Sequence, residues 1–412
     1  MRRFLDLRES FLIAMGAIRA NKGRGTLTTL GIIIGIVAVI LTMTAANGLQ
    51  NSFRQGFSAV GTDVFYVTRT PWVMMGDWFM FRNRPHLELD HADKLARQLR
   101  GRGIVNPSMD TRRDLKYRSE VMDGVRVVGT TEKQSLVSTA QPEFGRFMMA
   151  FDVANRKNVC IIGSDVRDGV FGAVNPINKK MKIGRTEFRV IGVMESQGGS
   201  FLGGPNFDRQ VFVPITTYQK EFGGQHGREG VDIAVKAPSQ EAMEELEFEV
   251  IGEMRKIRGL RPSEDDNFSI NKLDTLVGAF NNIMGVVLLI GLLVTSISLF
   301  VGGVGVMNIM FVSVTERTRE IGIRKAIGAR RYSILFQFLF EACIICLLGG
   351  TIGIVVASIL TAVINATLMP ASVNLSILVI AVVVSVLVGT VAGLVPAWRG
   401  AKLDPIEALR YE

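Results

Sequence analysis

The sequence has no G-x-x-x-x-G-K-[ST] run, so it offers no P-loop to cradle the phosphates of ATP. It has no H-E-x-x-H pair, and its only histidines are His86, His91 and His226. His86 and His91 bracket Leu-Glu-Leu-Asp, which reads as a helix start with solvated polar groups, and no metal site is expected. No Ser/His/Asp or paired-carboxylate spacing stands out, so no catalytic residue is expected and the chain is not read as an enzyme. Cysteine is scarce as well: Cys160, Cys343 and Cys346 are the whole set. Cys160 stands alone in a long polar segment, so no internal disulfide is expected there. Cys343 and Cys346 have C-x-x-C spacing but sit in an apolar run, where they read as small packing residues.

Charge is nearly missing from four stretches: Leu27–Ala46, Gly278–Val312, Phe336–Leu368 and Leu375–Val395. Each reaches the ~20 residues that a helix needs to cross the hydrocarbon core. Buried core helices rarely run so long without charge. Hydrophobic residues make up 48% of the chain and the mean hydropathy is +0.29, in keeping with a membrane protein. The first run follows a long basic segment and no small-x-small cleavage site stands out after Ala46, so it reads as a retained span.

What charge there is points to an orientation. Arg2, Arg3, Arg8, Arg19, Lys22 and Arg24 precede the first span, and Arg317, Arg319, Arg324, Lys325, Arg330 and Arg331 lie between the second and third. Arg399, Lys402 and Arg410 follow the fourth, while the connector Asn365–Asn374 has no charge. Lys and Arg mark cytoplasmic segments, so both termini and the 313–335 loop are expected inside and 47–275 outside. The net charge of +9 is then largely this asymmetry, and no nucleic-acid partner is expected.

The expected class is an α-helical membrane protein with four transmembrane helices and a large α+β extracytoplasmic domain inserted between helices 1 and 2. Residues 1–25 form an amphipathic cytoplasmic helix, with Phe4, Leu7, Phe11, Leu12, Met15 and Ile18 on one broad face lying at the membrane surface. The spans are 26–46, 276–312, 336–368 and 375–395, and a cytoplasmic tail covers 396–412. Within 47–275, a βαβ-type subdomain is expected from 60–107 and 230–272, around an inserted β-rich subdomain at 108–229.

Gly31 and Gly35, Gly349 and Gly353, and Gly389 and Gly393 are spaced G-x-x-x-G, and Gly302 and Gly303 add small residues to the second span. Small residues let membrane helices approach closely, within a bundle or across a dimer. Glu341 is the only acid in the spans and reads as a hydrogen-bonded interfacial carboxylate rather than a proton site. Pro71–Phe81 (PWVMMGDWFMF) is rich in aromatics and Met. Trp72, Met74, Met75, Trp78 and Phe79 read either as core or headgroup packing, or as an adaptable contact surface for a substrate or partner.

Glu316–Ala329 (ERTREIGIRKAIGA) packs charge, Gly and Ile into a short stretch between two apolar runs. A solvated loop has no need of Ile321, Ile323 and Ile327; a helix docking into a protein groove does. Glu316, Arg317, Arg319, Glu320, Ile321, Gly322, Ile323, Arg324 and Lys325 are therefore the candidate coupling residues, with the face around Ile321 expected to dock.

That stretch, together with TLTTLGIIIG at Thr26–Gly35, the run from Gly302, and VPAWRGAKLDPIEALRY at Val395–Tyr411, resembles the MacB-type, FtsX-like permease family of ABC transporters. NVCIIGSDV, FRVIGVME and QVFVPITT resemble strands of the family's periplasmic domain. The resemblance implies a multi-pass protein of the bacterial inner membrane whose 313–335 loop holds a coupling helix. It implies a second permease, as a homodimer or homologous heterodimer, and two copies of a cytoplasmic ABC ATPase. ATP and Mg would be bound there, with no cofactor in this chain. Macrolide exporters of the family carry the ATPase ahead of the permease in one chain. Here Met1 opens on the permease, so a separate ATPase subunit is expected. The expected function is mechanotransmission of ATPase-driven motion to the periplasmic domain for export or efflux of a macrolide, peptide or other periplasmic substrate. A periplasmic adaptor and an outer-membrane channel are further candidate partners beside the lipid bilayer. A transmembrane regulator of a cell-wall hydrolase and a lipoprotein-extraction permease stand as alternatives.

Overall fold

The computed structural model describes residues 22–56, 61, 63–74, 79–197, 206–223, 230–367 and 371–409. The segment expected to form an amphipathic helix over 1–25 lies outside these residues up to position 21. The helices that matter below are α1 (Lys22–Gly56), α2 (Leu89–Gln98), α3 (Met243–Ile257), α4 (Leu273–Glu316), α5 (Thr318–Ala326), α6 (Arg331–Thr367), α7 (Leu375–Lys402) and α8 (Pro405–Leu409). The strands are β1 (Val64–Thr68), β2 (Ile104–Tyr117), β3 (Glu120–Thr130), β4 (Pro142–Gly145), β5 (Val159–Ile162), β6 (Lys180–Ile183), β7 (Thr186–Met194), β8 (Gln210–Pro214), β9 (Asp232–Lys236) and β10 (Ser269–Lys272). The chain divides into two compact units: Asn51–Asn282, and Met1–Gln50 with Ile283–Glu412.

In the first unit the described strands form one sheet, ordered β10-β1-β9-β2-β3-β8-β5-β7-β4, with β6 against β2 and β7. β1 lies antiparallel between β10 and β9, and β9 is antiparallel to β2. Two split βαβ units, β1-α2-β2 and β9-α3-β10, therefore interleave in the manner of a ferredoxin-like sheet. α2 buries Ala92 and Leu95, and α3 buries Met243, Leu246, Val250 and Met254 along one stripe. They cover the sheet face that carries Phe65, Val67, Val105, Val127, Ile233 and Val235. α3 has Glu244 and Glu245 in its first turn and Arg255 and Lys256 in its last, as its dipole favours.

The expected division at 107/108 is corrected. β2 runs unbroken across it: Ile104–Ser108 pair with β9, and Ser108–Tyr117 pair with β3. A 14-residue strand serves both halves, and the middle of the chain extends the same sheet instead of forming a separate β subdomain.

The second unit holds the rest of α1 and α4, with α5 to α8. α1, α4, α6 and α7 are each long and apolar enough to cross a membrane. α4 has 44 residues. At a rise of about 1.5 Å per residue that is ~66 Å, roughly twice the hydrocarbon thickness. The core combines Ile32, Ile36 and Ile40 of α1 with Val306 and Met310 of α4, Phe338, Ala342 and Cys346 of α6, and Ala381 and Ala397 of α7.

The glycines account for this packing. A Cβ on Gly31 would lie 3.0 Å from the Gly302 backbone, and one on Gly302 would lie 3.0 Å from the Ile32 backbone. α1 and α4 thus cross in direct backbone contact. Gly35 faces Leu299, Gly349 and Gly353 face Ile32 and Ile36, Gly389 faces the Cys343 backbone, and Gly393 faces Ala342. Gly303 differs: its nearest neighbour, Val388, would be 3.7 Å from a Cβ, so a side chain fits there. Seven of the eight candidate packing glycines thus meet partners within this one chain. α4 is the least covered span. Only 6% of its apolar window is buried, against 39%, 33% and 33% for α1, α6 and α7, so lipid or another chain must cover the remainder.

Candidate functional site

A nine-residue helix is too short to persist in water by itself, so α5 needs support from the fold. It follows α4 after a break at Arg317, whose φ and ψ of −104° and 14° leave the helical region. The Arg317 guanidinium reaches the buried Glu341 carboxylate of α6 at 3.4 Å. Glu341 therefore has a cationic partner at the point where the chain turns, which is the main compensation a buried carboxylate needs. Thr318 donates its hydroxyl to the Thr315 carbonyl at 2.8 Å, satisfying an acceptor at the end of α4.

Two contacts hold the inner side of α5. Gly322 packs on α8: a Cβ there would lie 2.9 Å from the Ala408 side chain and 3.3 Å from its backbone carbon. Lys325 donates from Nζ to the carbonyls of Ala401 and Leu403, at 2.6 and 2.5 Å. Those carbonyls lie at the C-terminal end of α7, where a cation meets unsatisfied acceptors and the negative dipole end. Burial, with Arg331 beside it, lowers the Lys325 pKa, and Asp404 opposes the shift. Sequence reading placed Gly322 and Lys325 in the site without revealing these tethers; the Ala-Lys-Leu-Asp-Pro stop after α7 was the available signal.

The expectation that Ile321 forms the docking face is corrected. Ile321 is 3% exposed and belongs to the core of its own unit, and Thr318 and Gly322 are buried beside it. The outward side carries Arg319, Glu320, Ile323 and Arg324, with exposed Glu316 at the end of α4 and Ile327 just past the end of α5; Ile327 is 81% exposed and Ile323 48%. Positions 319, 320, 323, 324 and 327 follow helical spacing along one face, which is mixed charge with two isoleucines. Glu320 and Arg324 approach to 3.9 Å, and Arg324 also donates to the Gln337 side chain at 2.7 Å. Exposed pairs of this kind add little stability, leaving these groups available to an incoming surface.

The aromatic stretch is not brought together as one patch among the described residues. Trp72 leans on Tyr66 of β1, rings 5.0 Å apart, and its backbone N–H donates to Asn271 Oδ1 at 2.8 Å. Met74 and Phe79 are exposed, and Met75 and Trp78 lie outside the described residues. Among the described residues no three His, Cys, Asp or Glu side chains cluster as metal ligands. His91 Nδ1 accepts the Glu88 N–H at the start of α2, and His86 Nε2 lies 3.1 Å from the Arg69 guanidinium. His226 is outside the described residues.

Comparison with known proteins places this architecture. The family model for the MacB-like periplasmic core domain matches residues 26–253, and that for the FtsX-like permease C-terminal domain matches 282–405. The macrolide export ATP-binding/permease protein MacB of Bdellovibrio bacteriovorus is 33% identical over 399 residues, covering 96% of this chain and 60% of that protein. Its namesake in Mannheimia succiniciproducens is 32% identical over 412 residues, covering 99% and 61%. The chain thus spans about three fifths of the length of these relatives. Among solved structures, the periplasmic region of MacB from Actinobacillus actinomycetemcomitans aligns with a TM-score of 0.44 at 19% identity, over 56% of this chain and 98% of that one. With a MacB-like periplasmic core-domain match over residues 26–253 and an FtsX-like match over 282–405, the chain belongs to the MacB/FtsX-like family of ABC transporter permeases.

Proposed function

We propose that this chain is the membrane-spanning subunit of an ABC export complex, and that it converts ATPase-driven movement at α5 into movement of its outer unit. The observation that carries the reading is the two-sidedness of α5. Its outer face presents Arg319, Glu320, Ile323, Arg324 and Ile327, while its inner face is fastened by Gly322 to α8 and by Lys325 to α7. A soluble ATPase docking on the outer face would push a helix that cannot move alone. α4 leads into it through the break at Arg317, α7 is tied through Lys325, and α6 is tied through the Arg317–Glu341 pair. Rigid coupling of one short helix to three spans suits transmission of a mechanical stroke.

In this reading ATP and Mg are held by two copies of a cytoplasmic ATPase, and the residues of this sequence offer no P-loop to hold them. A second permease completes the complex and covers the bare side of α4. Both termini and α5 face the cytoplasm of a bacterium, and residues 47–275 face the periplasm. The relatives named for macrolide export support outward delivery of substrate; a periplasmic adaptor and an outer-membrane channel are the partners we propose to receive it.

The decisive test separates the two faces of α5. Ile323→Asp and Ile327→Asp are expected to reach the membrane at normal levels, and to lose co-purification of the ATPase from native membranes. Ile321→Asp is expected to lower the thermal stability of the purified chain itself, because it places a charge in its own core. Full ATPase recovery with both outer-face variants overturns the docking reading. Labelling by an impermeant thiol reagent checks orientation: Ser239→Cys should react from outside and Ser333→Cys should not.

A further inference from the structure

The outer sheet buries one face under α2 and α3. Its other face borders a cleft of about 440 Å3, within the usual range for small-ligand sites. Strand periodicity decides which side chains arrive there. Tyr66 pairs with Ala234, Ser108 with Asp232, Arg126 with Gln210, and Val128 with Phe212, and these alternate with the core valines. Trp72 lies against Tyr66, and Phe147 meets Phe212 edge-on at 5.8 Å, so both ends of the cleft are aromatic.

Arg126 and Asp232 are the only charged residues lining the cleft among the described residues. Arg126 is already engaged: its Nε and Nη2 donate to the two carboxylate oxygens of Asp110 at 3.0 and 2.9 Å. Asp232 differs. Its backbone carbonyl accepts from Ser108 Oγ at 3.4 Å, but its carboxylate makes no ion pair and no hydrogen bond with any described residue. Arg69, His86 and Arg112 border the adjoining groove with Asp110 and Asp232, without forming an ion pair to Asp232. Of the two charged groups lining the cleft, Arg126 is thus held by Asp110, while the Asp232 carboxylate has no bonded counter-charge beside the aromatic walls. Burial, reinforced by Asp110 and opposed by Arg126, pushes Asp232 up to about 6, so it is ionised at pH 7.5 at a cost in free energy.

We propose that this cleft binds a ligand bearing a protonated amine on an apolar body, the amine against Asp232 and the body between Trp72, Phe147 and Phe212. A cation supplies the missing counter-charge, and the aromatic faces attract it further. An anion meets an unpaired carboxylate and an Arg already held by Asp110. The cleft admits a small amine or the basic end of a larger molecule. The proposal names the chemical class of cargo for the export reading and rests on that reading only for this role. Binding is measured without any ATPase, so a failure here is distinct from a failure of docking at α5.

Ser135 also lines the cleft. In the full chain purified in detergent, Ser135→Cys serves as a reporter whose modification by an impermeant maleimide is followed at pH 7.5, with the parent chain subtracted. Three water-soluble probes of matched body are compared: 4-phenylbutylamine, 4-phenylbutanol and 4-phenylbutyrate. The amine is expected to slow labelling about ten-fold at a concentration where the alcohol slows it less than about two-fold and the carboxylate has no effect. Adding Asp232→Asn should reduce the amine to the level of the alcohol. The proposal is overturned if no probe protects, if the carboxylate protects as well as the amine, or if amine protection survives Asp232→Asn.

Discussion

The sheet unit and the helix bundle solve the same packing problem with opposite residues. The sheet unit fills its core with large side chains, among them Phe65, Leu95, Leu115, Phe188 and Tyr218, all nearly or fully buried. The bundle packs through Gly31, Gly302, Gly349, Gly353 and Gly389, with Ala342, Ala381 and Ala397 between them. In water, removing apolar surface drives folding, and larger side chains contribute more. Between membrane helices that drive is missing, because lipid tails are as apolar as leucine; close backbone approach and dispersion take its place. The difference teaches that one kind of substitution should have opposite consequences in the two units, and that polar contacts in the bundle should matter at the end that carries α5.

The strongest way to break the comparison is to exchange the two strategies. A Cβ at Gly389 would already sit 2.8 Å from the Cys343 backbone, so Gly389→Leu must push α6 and α7 apart. Loss of folded chain from the membrane is expected, measured by detergent-resistant monodisperse yield. Truncating a large residue tests the other unit. Phe65→Ala is expected to cost about 3–5 kcal/mol of outer-unit stability while leaving the bundle assembled. Limited proteolysis against temperature should show early cleavage within 51–282 alone. Equal sensitivity of both units to both variants would remove the distinction.

A smaller effect sharpens the comparison at the α5 end of the bundle. Lys325→Met keeps the stem of the side chain but leaves the Ala401 and Leu403 carbonyls without their donor. We expect a loss of about 1–3 kcal/mol and, at permissive temperature, normal ATPase co-purification with reduced transport. Unchanged transport would mean that α7 follows α5 without this tether.

Titration gives the next effect in size. Burial disfavours the charged form of Asp232 and pushes it up to about 6, above the ordinary Asp value of 3.8. Its proton-linked stabilisation is complete below about pH 4 and is lost as pH rises through 6, since the folded state holds the proton more tightly. Asp232→Asn should therefore raise outer-unit stability at pH 7.5 by about 1–2 kcal/mol, after allowance for solvent screening, and change little at pH 4. Thermal unfolding at the two pH values checks it. Tyr66, Asp110, Arg112 and Arg126 on neighbouring strands, Arg69 just past β1, and His86 in the connection before α2 are the charged or titratable groups around it. The smallest effect is expected for Glu320→Ala, which removes an exposed pair with Arg324 and should shift the melting point by less than ~0.5 kcal/mol equivalent.

Local sequence was enough to find four apolar runs, a charged helix between the second and third of them, and glycines where helices touch. Span length, charge placement and small-residue spacing are properties of one segment at a time, and each segment keeps them wherever it ends up. The same holds for the strands: β-branched runs such as VCII and QVFVP are legible without their partners. Pairing was not. β2 joins both halves of the outer sheet because β9, more than a hundred residues later, lies against its first turns, and no periodicity within β2 announces that. Nor could the sequence orient α5. Ile321, Ile323 and Ile327 are chemically identical, and only the arrival of α8 at Gly322 and of the α7 carbonyls at Lys325 turns Ile321 inward and leaves the other two exposed. The cleft beside Asp232 was equally hidden, since the carboxylate's lack of a counter-charge depends on Arg126 being held by Asp110 from the neighbouring strand. Composition determines what each segment can bury; which groups face one another across segments, and hence which charge is left without a partner, exists only once the chain has folded.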